Sequence, residues 1–337
     1  MSPLLGSIVW CALFAALGAV GTWMARGYAL QRQLLDQPGD RRSHRIATPR
    51  GGGIAIALAF LIALMAMMLR QPREIVLLGC AVVGLLLVAG IGWLDDHRPL
   101  SPWSRLAVHA VAAGWLGAGF YLSGAHGAVA PIAFLAALVL VNVWNFMDGI
   151  DGLAATQAAL VAAAFAFVTG SSLAIHLGLA LIASTLGFLP FNFPRARIFL
   201  GDVGSGMLGF ALALMLGLFL DAKPVAAWPL AILPLSAFLL DAGLTLFTRI
   251  LRGERWWTPH VEHTYQRWAR RAGRHMPITA AYAIWTSLTC IGMVLFSVKD
   301  HREMAMAVAA CLATGCGCWY WLRRDPDAYG VDKETGA

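Results

Sequence analysis

Long runs of apolar residues, most of them uniform rather than alternating, dominate the pattern of this chain. A helix needs about 20 apolar residues to cross the hydrocarbon core of a bilayer. Uniform runs favour helices over barrel strands, in which apolar and polar positions alternate. Eleven runs of suitable length occur, at Pro3–Ala25, Gly53–Leu69, Glu74–Leu94, Trp103–Ser123, Val129–Phe146, Gly152–Thr169, Ser172–Pro190, Val203–Leu220, Ala226–Phe247, Pro277–Val298 and Met304–Leu322. The pattern predicts an all-α polytopic membrane protein with about 11 transmembrane helices.

The composition agrees with this interpretation. Hydrophobic residues make up 59% of the 337 residues and charged residues 13%, whereas soluble domains are about 25% charged. No basic residues precede the first apolar run, which therefore predicts an uncleaved first helix rather than a signal peptide. The six cysteines lie in apolar runs without a CxxC pair, which argues against a metal or disulfide framework.

Basic residues are distributed unevenly between the two sets of loops. Twenty of the 25 lysines and arginines fall on one face and five on the other. The positive-inside rule then predicts a periplasmic amino terminus and a cytoplasmic carboxyl terminus in a bacterial inner membrane. Because the net charge of +7 is explained by topology, no nucleic-acid partner is expected. Residues 1–322 are interpreted as a single transmembrane domain and residues 323–337 as a cytoplasmic tail.

Aspartates are concentrated where helices meet the predicted cytoplasmic face. They occur in the segments GWLDDHRPLS (Asp95, Asp96), NVWNFMDGIDGLA (Asp148, Asp151), IFLGDVGSGMLG (Asp202) and LLDAG (Asp241). Carboxylates near hydrocarbon are costly and are usually functional, although any single one can also serve as a helix cap. Since the acids share one face, we predict an acidic active site there, with Asp241 the acid for which a structural role is favoured.

A small number of carboxylates beside glycine-rich turns suits Mg²⁺ and a diphosphate ligand. The segment DQPGDRRSHRIATPRGGGIAI adds His44 and Arg50, which can bind phosphate oxygens. Positive-inside anchoring is the alternative interpretation of each arginine. The last long loop contains His260 and His263 three residues apart, and His263 is favoured as a site residue.

In order and spacing these segments resemble the signature loops of polyprenyl-phosphate N-acetylhexosamine-1-phosphate transferases. That group is glycosyltransferase family 4, relatives of phospho-N-acetylmuramoyl-pentapeptide transferase. The resemblance implies transfer of a sugar 1-phosphate from a UDP-N-acetylhexosamine to undecaprenyl phosphate within the lipid bilayer, with release of UMP. It also implies Mg²⁺, or Mn²⁺ in its place, and a homodimer, since membrane-embedded dimers are known among the relatives. The active-site loops would be cytoplasmic, at residues 27–52, 95–102, 145–151, 191–202 and 249–276.

The resemblance also assigns roles by position. Asp95 and Asp96 match paired aspartates, one of which deprotonates or positions the lipid phosphate, and Asp202 matches the Mg²⁺ ligand. The residues that match substrate-binding positions are Asn142, Asn145, Asp148, Asp151, His44, Arg50 and His263.

The chain departs from the family pattern in the last long loop, where polysaccharide-initiating members carry an HxHH cluster. Here the segment is His260-Val261-Glu262-His263-Thr264-Tyr265-Gln266, so Tyr265 and Gln266 replace two histidines. The variant is similar to a branch that acts on 6-deoxy N-acetylated sugars in O-antigen initiation. The resemblance therefore implies such a sugar and argues against the peptidoglycan enzyme.

A transporter of nucleotide sugars or lipid-linked sugars is the alternative from another functional class. Transporters place polar groups near the bilayer midplane, often in repeated halves. In this chain the interiors of the predicted spans are nearly free of acids, and no repeat is visible. An enzyme is therefore the favoured prediction.

Overall fold

A computed structural model of the protein describes residues 3–37, 47–255, 257–258 and 260–324. Nearly all regular structure in these ranges is helical. The helices are α1 (Pro3–Gln31), α2 (Ile54–Arg70), α3 (Ile75–His97), α4 (Pro102–Leu122), α5 (Val129–Phe146), α6 (Leu153–Thr169), α7 (Ser172–Asn192), α8 (Gly201–Ala222), α9 (Ile232–Leu251), α10 (Thr264–Ala272), α11 (Met276–Phe296) and α12 (His301–Arg323). Two short antiparallel strands, β1 (Leu35–Asp36) and β2 (Thr48–Pro49), pair between α1 and α2.

The length and composition of the helices are those of a multi-pass membrane protein. Eight helical stretches in the described residues are long and apolar enough to cross a bilayer, and α2 and α6 are shorter apolar helices. Each of the eleven predicted runs falls on one long helix, whereas α10 was not predicted. The all-α polytopic fold is confirmed; the number of 11 spans and the orientation of the termini stay predictions.

Helix α8 lies at the centre of the bundle. Every residue in its apolar window is buried, and it packs against α3, α5 and α6. A helix surrounded in this way must be apolar on all sides and needs small residues where a neighbour is close. At Gly209, a Cβ atom would lie only 2.3 Å from the carbonyl oxygen of Leu140 on α5. The core is thus built around α8, whose first turn carries Asp202.

Two helix boundaries differ from the sequence prediction for identifiable reasons. Helix α3 continues to His97, so Asp95 and Asp96 lie in its last turn rather than in a loop. Arg50 donates to the backbone carbonyls of both residues, which satisfies acceptors that a helix end leaves free. Helix α9 begins at Ile232 because Val225–Ala231, which contains Pro229, forms a 3₁₀ helix.

Candidate active site

Two carboxylates from different helices meet at one arginine. The Nη1 atom of Arg105, in the first turn of α4, lies 2.8 Å from Asp95 Oδ2 and 2.6 Å from Asp202 Oδ2. Each carboxylate is also held through its other oxygen. Asp95 Oδ1 accepts from the Leu100 N–H at 2.6 Å, and Asp202 Oδ1 accepts from Asn145 Nδ2 at 2.9 Å. The structure therefore brings Asp95, Asp202 and Asn145 together around a single cationic group.

Asp96 faces away from this cation and caps the amino terminus of α8. Its Oδ1 accepts from the Asp202 N–H at 3.1 Å and its Oδ2 from the Val203 N–H at 3.2 Å. The residue is only 4% exposed. The close approach depends on Gly201, which has φ +76°, and whose Cβ, if present, would lie 2.5 Å from Asp96 Oδ2. Asp95 and Asp96 are thus adjacent in sequence but have different surroundings.

The guanidinium of Arg50 donates its hydrogen bonds within the protein. Its Nε donates to the Asp96 carbonyl at 2.9 Å and its Nη2 to the Asp95 carbonyl at 3.1 Å. These bonds fix the last turn of α3 against the chain that follows β2. Arg50 therefore lies beside the predicted site, where it positions the two aspartates. His44, predicted with it, lies outside the described residues.

Asn142 and Asn145 lie on the last turns of α5. Asn145 Nδ2 is shared between Asp202 and the Ser205 hydroxyl, 3.2 Å away, so it links α5 to the first turn of α8. Asn142 donates to the Leu138 carbonyl of its own helix at 2.7 Å. The structure places Asn145 in direct contact with the acidic cluster and Asn142 one turn below it.

The turn after α5 brings Asp148 near the same cluster. Burial raises the pKa of Asp148 well above its usual range, and the charges of Asp202, Asp96 and Asp151 raise it further. Asp151 points to the start of α11, where its Oδ2 lies 3.2 Å from His275 Nδ1. Asp148 therefore belongs to the acidic cluster, whereas Asp151 joins the turn to α11.

The segment from His260 to Gln266 lies against this turn. His263 is buried and its ring stacks on Phe146 and on Tyr265, with centroids 6.2 and 5.9 Å away. Burial lowers the pKa of His263, and burial together with neighbouring His263 lowers the pKa of His260 to about 4. Both rings are therefore neutral near pH 7, when each can accept a hydrogen bond as well as donate one.

Tyr265 has a structural position that the sequence did not indicate. It is fully buried, and its hydroxyl donates to the Phe146 carbonyl at 2.9 Å. A Cβ atom on Gly149 would lie 2.2 Å from that hydroxyl, so the glycine after Asp148 is needed for the contact. Tyr265 thus supports the turn between α5 and α6 that contains Asp148 (the Asp148 turn), and its side chain is not available to a ligand.

Asp241, halfway along α9, holds the amino terminus of α10. Its Oδ1 accepts from the Thr264 N–H at 2.7 Å, and its Oδ2 accepts from the Tyr265 N–H at 3.1 Å and the Tyr282 hydroxyl at 2.7 Å. The residue is 3% exposed. These contacts give Asp241 a structural role, as the sequence analysis favoured, and they anchor the segment that carries His263.

Replacing Asp241 by asparagine should loosen that segment. An amide keeps one acceptor but adds two donors facing N–H and O–H groups, so we expect a loss of about 1–3 kcal/mol of stability. Hydrogen exchange measured by mass spectrometry should become faster across residues 260–272. Tyr282→Phe, which removes only one donor to the same carboxylate, should have a smaller effect; equal exchange rates in Asp241→Asn and the wild type would contradict the anchoring role.

The fit of a divalent cation follows from the donors at the site. No group of three or more His, Cys, Asp or Glu side chains in the described ranges is arranged as a metal site. Two carboxylate oxygens do converge on one cationic nitrogen. Mg²⁺ is commonly bound through one or two carboxylates plus substrate phosphates. The residues therefore suit a metal that binds together with a diphosphate.

Comparison with known proteins identifies the family. Residues 78–219 match the model of glycosyl transferase family 4. A phospho-N-acetylmuramoyl-pentapeptide-transferase of Heliobacterium modesticaldum is 30% identical over 61% of this chain and 73% of its own length. The chain belongs to glycosyl transferase family 4. The resemblance seen in the sequence is thereby confirmed.

Two further relatives match over most of this family 4 protein. A probable undecaprenyl-phosphate N-acetylglucosaminyl 1-phosphate transferase of Bacillus subtilis is 29% identical over 82% of the chain and 81% of its own length. An undecaprenyl-phosphate alpha-N-acetylglucosaminyl 1-phosphate transferase of Thermotoga maritima is 29% identical over 85% and 89%. The family match includes Asp95 and Asp202 but ends before the segment from His260 to Gln266.

Sequence reasoning missed two residues of this family 4 site. Arg105 was counted only as a topology determinant, and His275 was not singled out. Neither residue lies in a motif; each is recognised only when the fold places it beside an aspartate, Arg105 beside Asp95 and His275 beside Asp151. The one available signal was that Arg105 lies at the start of a predicted span, ten residues after Asp95.

Proposed function

We propose that this protein transfers an N-acetylated hexosamine 1-phosphate from a UDP-sugar to undecaprenyl phosphate in the bacterial inner membrane, releasing UMP. The single observation that carries the proposal is the pair of fixed carboxylate oxygens, from Asp95 and Asp202, that converge on one cation at the ends of membrane helices. The names of the relatives support the same acceptor and the same class of reaction.

In the proposed reaction an oxygen of undecaprenyl phosphate attacks the sugar-bearing β-phosphorus. The new P–O bond forms as the bond between the β-phosphorus and the bridging oxygen of the diphosphate breaks, and that oxygen leaves as part of UMP. Asp202, with Asp95, would hold Mg²⁺, or Mn²⁺ in its place, and the bound ion would offset the charge of the diphosphate and of the departing UMP. Asn145 keeps Asp202 in the required orientation through its hydrogen bond.

Asp95 is the aspartate that we assign to the acceptor phosphate. It faces the cluster, whereas both oxygens of Asp96 are engaged by α8. The acceptor phosphate is largely ionised at neutral pH, since its second pKa is about 6. Asp95 therefore contributes mainly by positioning the acceptor phosphate and not by removing a proton from it.

The sugar is the part of the proposal that rests on the segment from His260 to Gln266. We propose a 6-deoxy N-acetylated hexosamine and, as the product's use, initiation of O-antigen or a related surface polysaccharide. Tyr265 is buried, so its influence on the sugar must be indirect, through the position of His263 and of the Asp148 turn. We also propose that the protein functions as a homodimer.

The proposal is tested with purified protein, Mg²⁺, undecaprenyl phosphate and a panel of UDP-N-acetylhexosamines and their 6-deoxy analogues. We expect UMP release with at least one donor and the highest rate with a 6-deoxy sugar. Label from UMP should enter the UDP-sugar only when undecaprenyl phosphate is present. Transport of the donor into sealed vesicles without UMP release would support the transporter instead, and preference for UDP-N-acetylglucosamine would overturn the 6-deoxy assignment.

A further inference from the structure

Arg105 occupies the place between the two carboxylates that the proposed function gives to a metal. A single nitrogen, Nη1, makes both ion pairs. Asp95 and Asp202 come from different helices, α3 and α8, and a positive charge between them offsets the repulsion of the two carboxylates. In the described structure, the guanidinium supplies that charge.

The two carboxylates do not depend on Arg105 for their orientation. Asp95 is held through Oδ1 by the Leu100 N–H, and Asp202 is held through Oδ1 by Asn145. Both Oδ2 atoms would therefore keep their positions if the guanidinium moved away. The two acceptors are therefore preorganised by groups other than the guanidinium.

The Arg105 side chain is partly exposed to solvent. It is 27% exposed, compared with 3% for Asp96, the neighbouring acid that caps α8. It extends from the first turn of α4, and arginine is suited to bind phosphate oxygens through paired N–H donors. A guanidinium displaced from the carboxylates would remain within the same acidic cluster, where a metal-bound diphosphate would be its natural partner.

We propose that Arg105 lies between Asp95 and Asp202 only in the absence of nucleotide. When the nucleotide binds, a divalent metal replaces the guanidinium between the two carboxylates, and Arg105 then binds a phosphate oxygen of that nucleotide. This rests on the proposed function, because the nucleotide and metal are taken from it. Arg105 would thus keep the site from binding metal tightly in the absence of nucleotide and would couple the two ligands.

The replacement of Arg105 by a metal is tested first by metal binding without nucleotide. Mn²⁺ is titrated into the purified full-length protein without nucleotide, and free Mn²⁺ is followed by its electron paramagnetic resonance signal. Arg105→Gln should bind Mn²⁺ about ten- to a hundredfold more tightly than the wild type, the effect of removing a competing charge-assisted hydrogen bond. Arg98→Gln is the matched control, since Arg98 is exposed near the same end of α3, and should change the affinity less than about fivefold.

A second readout should move in the opposite direction. With saturating Mn²⁺, Arg105→Gln should bind UDP about tenfold more weakly, because a charged donor to phosphate is lost. Arg105→Lys keeps the charge but not the paired donors, and its Mn²⁺ affinity should fall between those of the wild type and Arg105→Gln. The lysine variant also provides a test if the glutamine variant does not fold.

Several results would overturn this replacement. The first is Mn²⁺ binding that is unchanged or weaker in Arg105→Gln, or an affinity for Mn²⁺ that rises equally in Arg98→Gln. The second is an Arg105→Lys variant that binds Mn²⁺ more weakly than the wild type. The others are an unchanged affinity of Arg105→Gln for UDP and an absence of Mn²⁺ binding by every variant. None of these measurements uses undecaprenyl phosphate or a UDP-sugar. Failure of the proposed transfer reaction would appear separately, as an absence of UMP release from every donor.

Discussion

Asp202→Asn should reduce UMP release by about 10²–10³-fold, the usual effect of removing a group that stabilises developing charge. Asparagine retains the size of the side chain, and its carbonyl can still accept from Asn145, so the first turn of α8 should remain in place. What is lost is the negative charge that faces Arg105 and that would hold the metal. Initial rates with a saturating UDP-sugar and undecaprenyl phosphate measure the effect.

The same helix offers a control for Asp202. Asp221 lies near the other end of α8, is exposed, and accepts a hydrogen bond from the His126 N–H at 3.3 Å. Asp221→Asn should therefore leave the rate unchanged. Wild-type activity in Asp202→Asn at ordinary Mg²⁺ concentrations would show that this carboxylate is not the metal ligand.

Asp95→Asn and Asp96→Asn should fail in different ways. Asp95→Asn keeps an acceptor for the Leu100 N–H, so we expect near-normal thermal stability with a rate lowered by about 10²-fold, the size of effect expected when a reactant is no longer correctly positioned. Asp96→Asn replaces an oxygen that caps α8 by an NH₂ group facing an N–H donor. It should lower stability by about 1–3 kcal/mol in addition to any loss of rate.

Thermal unfolding in detergent and the rate of UMP release, measured on the same preparations, separate the two aspartates. The two variants serve as each other's control, because they differ by one position and by the same chemical change. If Asp95→Asn unfolded at a lower temperature than Asp96→Asn and retained more activity, the assignment of the reacting group to Asp95 would be reversed.

The helices and the acidic cluster could be predicted from sequence because both depend on local signals. Apolar runs of bilayer length predict a helix wherever they occur. Because a carboxylate near hydrocarbon is costly, Asp95 and Asp202 can be identified as candidate site residues without any knowledge of the fold. The ends of helices were less predictable. The extension of α3 through Asp96 depends on Arg50, which is 46 residues away along the chain.

The different roles of the aspartates could not be predicted, because each role depends on which hydrogen-bond donors the fold brings to each carboxylate oxygen. Asp95 and Asp96 have the same residue type and neighbouring positions, yet one meets Arg105 and the other meets the amino terminus of α8. Likewise, nothing in the sequence indicates that Tyr265 is structural, but the 2.9 Å bond from its hydroxyl to the Phe146 carbonyl makes it part of the support for the turn that carries Asp148.

The anchoring of the segment from His260 to Gln266 has a consequence for how this enzyme can diversify. Asp241 and the Tyr265 hydroxyl hold the segment at points away from the convergence of Asp95 and Asp202. Under the proposed function, in which the segment selects the sugar, changes within it should alter the choice of donor while the helical core stays the same. An exchange of this short stretch between relatives, with the two anchors retained, is a direct route to enzymes that install a different first sugar.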